Sequence, residues 1–376
     1  MHSPASHPGV FEPRRKEEWT DYVLATELPQ LVLPPWQEYQ AMDEMTRYRF
    51  NRDRDDQHSA LVLAWTPRVA YFDQQISLRL RANKRAPAGA RQCMLISGPG
   101  TVGKSTMVKM IARKYELTLR QFEPELFEER PGCDFVPVVY LTLDDNITPK
   151  KFSKALARYL HVPVPGDQSD IDDRVLDMLK STGCRLLVID DAHFLDCTRR
   201  DGAATNDHVK FLAGCSGVTI IGTGVELEDS ALLDEGTGNA RKKQTAGRFS
   251  LHKFTPFSIG TPGEAKEWIG IVQGLEQALA LYHHEPGSLA RQHWRYLHER
   301  TLGRMAPLAD IIRQSAGLAI SRGPDTGREE ITQELMDEVI LDYWSTLEYA
   351  EIREVKARKA RAGRQRKKGQ GRAARA

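Results

Sequence analysis

Eight consecutive residues, Gly98-Pro99-Gly100-Thr101-Val102-Gly103-Lys104-Ser105, complete a G-x-x-x-x-G-K-[ST] pattern that few folds can accommodate. Such a loop needs a buried strand before it and a helix after it. Its backbone N–H groups must converge on one spot, and the positive end of the helix dipole must point there too. Cys93–Ser97 is apolar enough for the strand, and Thr106–Ala112 has helical periodicity. The glycines at 98, 100 and 103 are expected to let the backbone curl around phosphate oxygens. Lys104 then neutralises the β- and γ-phosphates and Ser105 offers its hydroxyl to Mg²⁺, so ATP with Mg²⁺ is the expected ligand. Pro99, Thr101, Val102 and Thr106 complete the nucleotide-contacting run. The bland alternative, a chance glycine-rich turn before a helix, has to explain all four fixed positions at once.

A carboxylate on the metal side must come from elsewhere. Arg185-Leu186-Leu187-Val188-Ile189-Asp190-Asp191-Ala192-His193 reads as a buried parallel strand ending in two acids, at the strand end where ligands of open α/β sheets bind. Asp190 is the expected Mg²⁺ residue. Asp191 stands where many ATPases place a glutamate that polarises the attacking water, and its side chain is one methylene shorter, which favours slow hydrolysis. The competing reading is that both acids cap the next turn. Asp190-Asp191-Ala192-His193 also evokes the D-E-A-H signature of helicases, but no second parallel sheet is legible after residue 262. His193 is instead expected to tie the strand end to the adjacent loop by a hydrogen bond.

Around these motifs the sequence alternates strands and helices. Phe135–Leu143 and Gly217–Gly224 read as strands, Thr148-Pro149 as the N-cap and first residue of a helix through Leu160, Ser169 as the start of another helix, and Asn206–Leu212 as helical. A parallel sheet with helices on both faces follows. Residues 1–85 are polar, with short helical patterns such as Trp36–Arg54, and Ala86–Ala90 reads as a linker. The expected organisation is an N-terminal helical or extended segment (1–85), a nucleotide-binding domain (86–261), an all-α domain (262–350) and a basic tail (351–376). Helical periodicity in the third part falls at 263–283, 290–300, 306–321 and 331–357.

Charge is distributed unevenly. Residues 351–376 hold 11 Lys/Arg against 2 Glu, a net +9, whereas the preceding 350 hold 42 Lys/Arg against 49 Asp/Glu, a net −7. A tail this basic, with alanine as almost its only apolar residue, is expected to be disordered alone and to bind nucleic acid through its phosphates. A merely solubilising tail is the alternative; it lacks interleaved aromatics for base stacking. No apolar run approaches the ~18 residues of a membrane span, and the N-terminus lacks a basic-then-apolar signal, so a cytoplasmic protein is expected, nucleoid-associated if the tail binds DNA. Five scattered cysteines without a C-x-x-C pair argue against a disulfide framework or a zinc module.

The order of the phosphate loop, Leu186–His193, Asn206–Leu212, Val218–Gly224 and Gln244-Thr245-Ala246-Gly247-Arg248-Phe249 resembles the TniB/TnsC-type AAA+ ATPases of DNA transposition, over roughly residues 60–320. The resemblance implies an α/β fold: a P-loop AAA+ core with a parallel sheet and flanking helices, followed by a smaller all-α lid. It also implies an ATP-bound homo-oligomer, ring or filament, that assembles on DNA and recruits or activates a DDE transposase. By the same resemblance Thr223 takes the sensor-1 place near the γ-phosphate, Arg248 that of an arginine finger reaching a neighbour's nucleotide, and Arg304 that of sensor-2, with Arg313 as competitor. The shorter Asp191 keeps a second function open, a nucleotide-switched signalling or scaffold ATPase with little turnover.

Overall fold

Five short runs rich in branched side chains form one parallel sheet: β1 (Cys93–Ser97), β2 (Val138–Thr142), β3 (Leu186–Asp190), β4 (Thr219–Gly224) and β5 (Phe249–Lys253), in the order β2-β3-β4-β1-β5. Every residue of β1, β3 and β4 is buried, and β1 and β3 accordingly read as nearly continuous apolar runs. The computed structural model describes residues 12–25, 31–60, 65–87, 91–128, 133–145, 147–195, 205, 208–209, 211–212, 214–228, 249–352 and 354.

Two corrections concern the strands. The second is shorter than expected, Val138–Thr142 within 135–143, and β5 was not foreseen as a strand at all. As an edge strand β5 has one partner, β1, and only Phe249 and Leu251 pack on the core, so five residues of weak alternation were its whole signal.

The chain separates into two units, Met1–Glu27 with Trp65–Thr255, and Leu28–Ala64 with Pro256–Ala376. The first is the α/β unit: the parallel sheet with its flanking helices, carrying the phosphate loop. Its helices are α1 (Lys16–Leu24), α4 (Pro67–Asn83), α5 (Lys104–Phe122), α6 (Pro149–Tyr159) and α7 (Gln168–Ser181). Thr66 and Thr148 cap α4 and α6, each followed by proline at the first helical position, and Asp167 forms a capping box with Asp170 at α7. The described positions of 206–212 (208, 209, 211 and 212) are helical, with Val209 and Leu212 buried in the core.

The second unit is all-α and smaller. It contains α2 (Trp36–Ala41), α3 (Glu44–Ser59), α8 (Pro262–Gln277), α9 (Trp294–Thr301), α10 (Met305–Thr326), α11 (Gln333–Glu338) and a further helical stretch over 343–352. Its core includes Trp268, Ile271, Leu297, Leu308 and Ile312.

The stretch 1–85 is shared between the units. Trp19, Val23, Val69, Phe72 and Ile76 belong to the sheet core, while α3 packs on α10. The border falls at 255/256, not 261/262, because Phe254 is buried with the sheet and Phe257 with the helices. Helix ends also differ from the periodicity, for tertiary reasons. The expected 263–283 helix stops at Gln277, where the backbone of Ala280 is captured by α3. Its N–H donates to His58 Nε2 at 2.8 Å, and its carbonyl accepts Arg54 Nε and Nη2 at 2.9 and 2.7 Å. The 36–54 pattern is two helices, split where the Asp43 side chain accepts the Thr46 N–H and caps α3. The 331–357 pattern breaks near Val339, whose carbonyl accepts Arg300 Nη2 at 2.8 Å.

Candidate nucleotide site

The phosphate loop leaves the sheet at the carboxyl end of β1, next to the ends of β4 and β5. Gly98 N–H donates to the Gly224 carbonyl at 3.1 Å, and Phe254 N–H to the Ser97 carbonyl at 2.7 Å. A Cβ on Gly98 would stand 2.0 Å from the Phe254 carbonyl oxygen, so the exit of β5 excludes any side chain there. The curl itself is made differently from expectation. The left-handed residues are Thr101 (φ 63°) and Gly103 (φ 99°), not Gly100. At Gly100 a Cβ would meet nothing within 4 Å, so the space beside it is open. Holding a β-branched threonine at positive φ costs on the order of 1–3 kcal/mol, and Thr101 returns one hydrogen bond, from Oγ1 to the Gly100 carbonyl at 2.7 Å.

Lys104 begins α5 and curls back over the loop, donating from Nζ to the carbonyls of Gly98 and Pro99 at 2.8 and 2.7 Å. Burial pushes its ammonium pKa down, and the charges of Asp190 and Asp191 act in the opposite direction. In contrast to α4, α6 and α7, α5 has no side-chain cap: Gly103 occupies that position. The first-turn N–H groups therefore meet no side-chain acceptor and point out of the helix start.

Three adjacent strands converge on the carboxylate of Asp190, which is 3% exposed. Its Oδ1 accepts the Ser105 hydroxyl at 3.0 Å, the Asp191 N–H at 3.1 Å and the Thr223 hydroxyl. Its Oδ2 accepts the Tyr140 hydroxyl at 2.7 Å. Ser105, Asp190 and Thr223 are thus brought together, and Tyr140 joins them as a fourth member that the sequence reading missed. A tyrosine in an apolar strand carries no signal of such a role; the strand register creates it. Burial pushes its phenol pKa well above the ordinary tyrosine value, so it acts as a donor.

Asp191 follows with φ 55°, a left-handed turn that swings its side chain away from that of Asp190 and leaves it 44% exposed. Partial burial, reinforced by the neighbouring Asp190 charge, raises its carboxyl pKa. The expected role of His193 is corrected. Its Nδ1 has no hydrogen-bond partner and lies 3.8 Å from Asp191 Oδ1, while its ring packs against Phe194 at 4.2 Å between centroids. The 3₁₀ turn Ala192–Leu195 begins directly after the strand and fixes this placement.

Arg304 directly precedes α10 in the helical unit and donates from Nη2 to Glu348 at 2.8 Å; Arg313 Nε donates to the His58 carbonyl at 3.2 Å. Arg248 and the tail beyond 354 lie outside the described residues.

These groups fit a magnesium nucleotide. A buried ammonium lies over a loop with open space at Gly100, an uncapped 19-residue helix starts beside it, and a hydroxyl and a carboxylate supply the hard oxygens that Mg²⁺ takes.

Residues 67–258, about half of the chain, match the model of a family described as Bacterial TniB protein. No curated protein matches the sequence. Among solved structures, the chain is similar to Cdc6p from Pyrobaculum aerophilum, at 16% identity and a TM-score of 0.51 over 75% of this chain and 69% of that one. It is also similar to the Aeropyrum pernix Orc1 protein, solved in complex with DNA, at 16% identity and a TM-score of 0.48 over 89% of this chain and 69% of that one. The first likeness is one of fold.

Proposed function

This chain belongs to the TniB family of bacterial proteins, and we propose that it hydrolyses ATP to regulate DNA transposition, assembling on double-stranded DNA as a homo-oligomer and recruiting or activating a DDE transposase. One observation carries the ATPase part: the ends of β1, β3 and β4 deliver Lys104, Ser105, Asp190 and Thr223 to one place, with Asp191 alongside.

Bound Mg²⁺·ATP would supply the scissile phosphoanhydride and a divalent charge to offset its oxygens. Lys104 holds the β- and γ-phosphates by exchanging loop carbonyls for phosphate oxygens. Gly98, Pro99, Gly100, Thr101, Val102, Gly103 and Thr106 present the surrounding backbone. Ser105 and Asp190 hold the metal side, Thr223 senses the γ-phosphate end, and Asp191 orients the attacking water and accepts its hydrogen bond. Arg248 completes a neighbour's site as a finger, which ties turnover to assembly, and Arg304 is the sensor-2 candidate. The basic tail adds affinity for the DNA backbone.

A second reading, a nucleotide-switched scaffold with little turnover, draws on Asp191. It is short, left-handed in backbone and 3.8 Å from His193, a poorer platform for a water than an extended glutamate.

The test combines turnover with fluorescence anisotropy of labelled duplex DNA across several salt concentrations, for the full chain, a variant lacking 353–376, and Arg248→Ala. Turnover should rise with protein concentration and with DNA, and Arg248→Ala should lose that rise while still binding ATP. Removing the tail should weaken DNA binding and flatten the salt slope, which is about −0.9 per phosphate contacted. Concentration-independent turnover, unaltered by Arg248→Ala, with no DNA binding in any nucleotide state, would overturn the reading.

A further inference from the structure

Asp190 is held asymmetrically. Oδ1 takes three donors, one of which, the Ser105 hydroxyl, is the group assigned to the metal. Once that hydroxyl turns away, the carboxylate keeps Thr223 and the Asp191 N–H on one oxygen and the Tyr140 hydroxyl on the other. A carboxylate bonded on one oxygen alone can swing about its Cβ–Cγ bond; one bonded on both cannot without breaking a buried hydrogen bond.

Register explains how a residue on β2 performs this task. Tyr140 pairs with Val188, and Thr142 pairs with Asp190, so Tyr140 and Asp190 are diagonal neighbours on one face of the sheet. A long side chain spans that diagonal of roughly 7–8 Å, and the tyrosine hydroxyl arrives at 2.7 Å from Oδ2.

The ring is itself clamped. It stacks on Trp19 of α1, with centroids 5.6 Å apart and planes 8° from parallel, and Lys109 Nζ lies 5.2 Å from its centroid. Trp19 is fixed in turn, because its indole N–H donates to the buried Glu116 of α5 at 2.8 Å. Lys109 is fixed by Glu12, at 2.7 Å, which also accepts the Thr142 hydroxyl at 3.3 Å. The segment from Glu12 through α1 therefore reaches the metal-side carboxylate through one aromatic stack.

We propose that Tyr140 is a positioning residue for Asp190, orienting the carboxylate toward the metal, and that Trp19 sets the position of Tyr140. The inference rests on the reading of Asp190 as the metal-side carboxylate. Tyr140→Phe keeps the ring, the stack and the core volume and removes only the hydroxyl. Outer-shell partners of this kind change metal affinity by about 10–100-fold.

The experiment uses the full chain and reads metal binding directly, with Mn²⁺ and ATP followed by electron paramagnetic resonance, beside ATP binding in excess chelator by calorimetry. Tyr140→Phe should weaken Mn²⁺ binding to the ATP-bound protein about 10-fold and leave metal-free ATP affinity near the parent's, with the thermal midpoint lowered by the lost buried hydrogen bond but the protein still folded. Turnover should fall in kcat more than it rises in KM. Trp19→Ala should weaken Mn²⁺ binding in the same direction but less, and Trp19→Phe, which preserves a stack, should recover most of that loss. Asp190→Asn is run in parallel. If it loses Mn²⁺ binding while Tyr140→Phe retains the parent's, Tyr140 has no positioning role. If both bind Mn²⁺ like the parent, the reading of Asp190 fails and takes the proposal with it.

Discussion

In the helical unit Arg54 and Glu329 are wholly buried and face each other; in the sheet unit Lys104 and Asp190 are nearly as buried and, among the described residues, have no ionic partner in contact. Arg54 also donates to the Ala280 carbonyl, Glu276 accepts the Leu289 and Ala290 N–H groups at 2.9 and 3.2 Å and the His284 ring, and His58 receives the Ala280 N–H. That network closes on itself and ties segments distant in sequence. Lys104 instead donates to its own loop, beside open space. Buried charge that is satisfied inside the fold is architecture; buried charge held by replaceable partners at an opening is a site waiting for a ligand.

The comparison breaks most visibly at Glu329. Glu329→Gln leaves the Arg54 guanidinium buried without its counter-charge and should cost about 3–5 kcal/mol in urea unfolding, while ATP affinity of the folded protein stays unchanged. A shift below 1 kcal/mol would show that the helical network contributes little.

Lys104→Ala should do the reverse. ATP affinity should fall at least about 100-fold, about 3 kcal/mol, with unfolding midpoints close to the parent's, because the ammonium leaves behind only loop carbonyls. Calorimetric titration showing unaltered affinity would remove the phosphate-loop assignment.

The smallest effect concerns pH. Burial, aided by the Arg54 charge, holds the His58 pKa down from 6.5 to about 4. The neutral ring accepts the Ala280 N–H, so the folded state resists a proton that the unfolded chain takes up. Stability is complete above about pH 6.5 and falls as the pH drops toward about 4, by roughly 3 kcal/mol. His58→Gln should lose this dependence between pH 6.5 and 4 while the parent keeps it. Identical pH profiles would place the titration elsewhere.

The parts legible in the sequence were those written by local rules. Thr148 caps its helix as Ser, Thr and Asp do generally, and β1 and β3 are continuous apolar runs because both faces are covered. The illegible parts answer to distant partners. Nothing near Gln277 ends a helix, yet α3 takes the backbone of Ala280; nothing near Phe249–Lys253 announces a strand, yet the edge of β1 recruits it.

By itself, then, the sequence determined the phosphate loop, its flanking strand and helix, and the acidic strand end, since each depends on residue types a few positions apart. The tertiary structure alone decided that Tyr140 holds Asp190, that Thr101 bears the loop's left-handed turn, and that the N-terminal 85 residues divide between two cores. The reason is physical: strand register and the competition for backbone hydrogen bonds are settled between segments far apart in the chain, where no local pattern records the outcome.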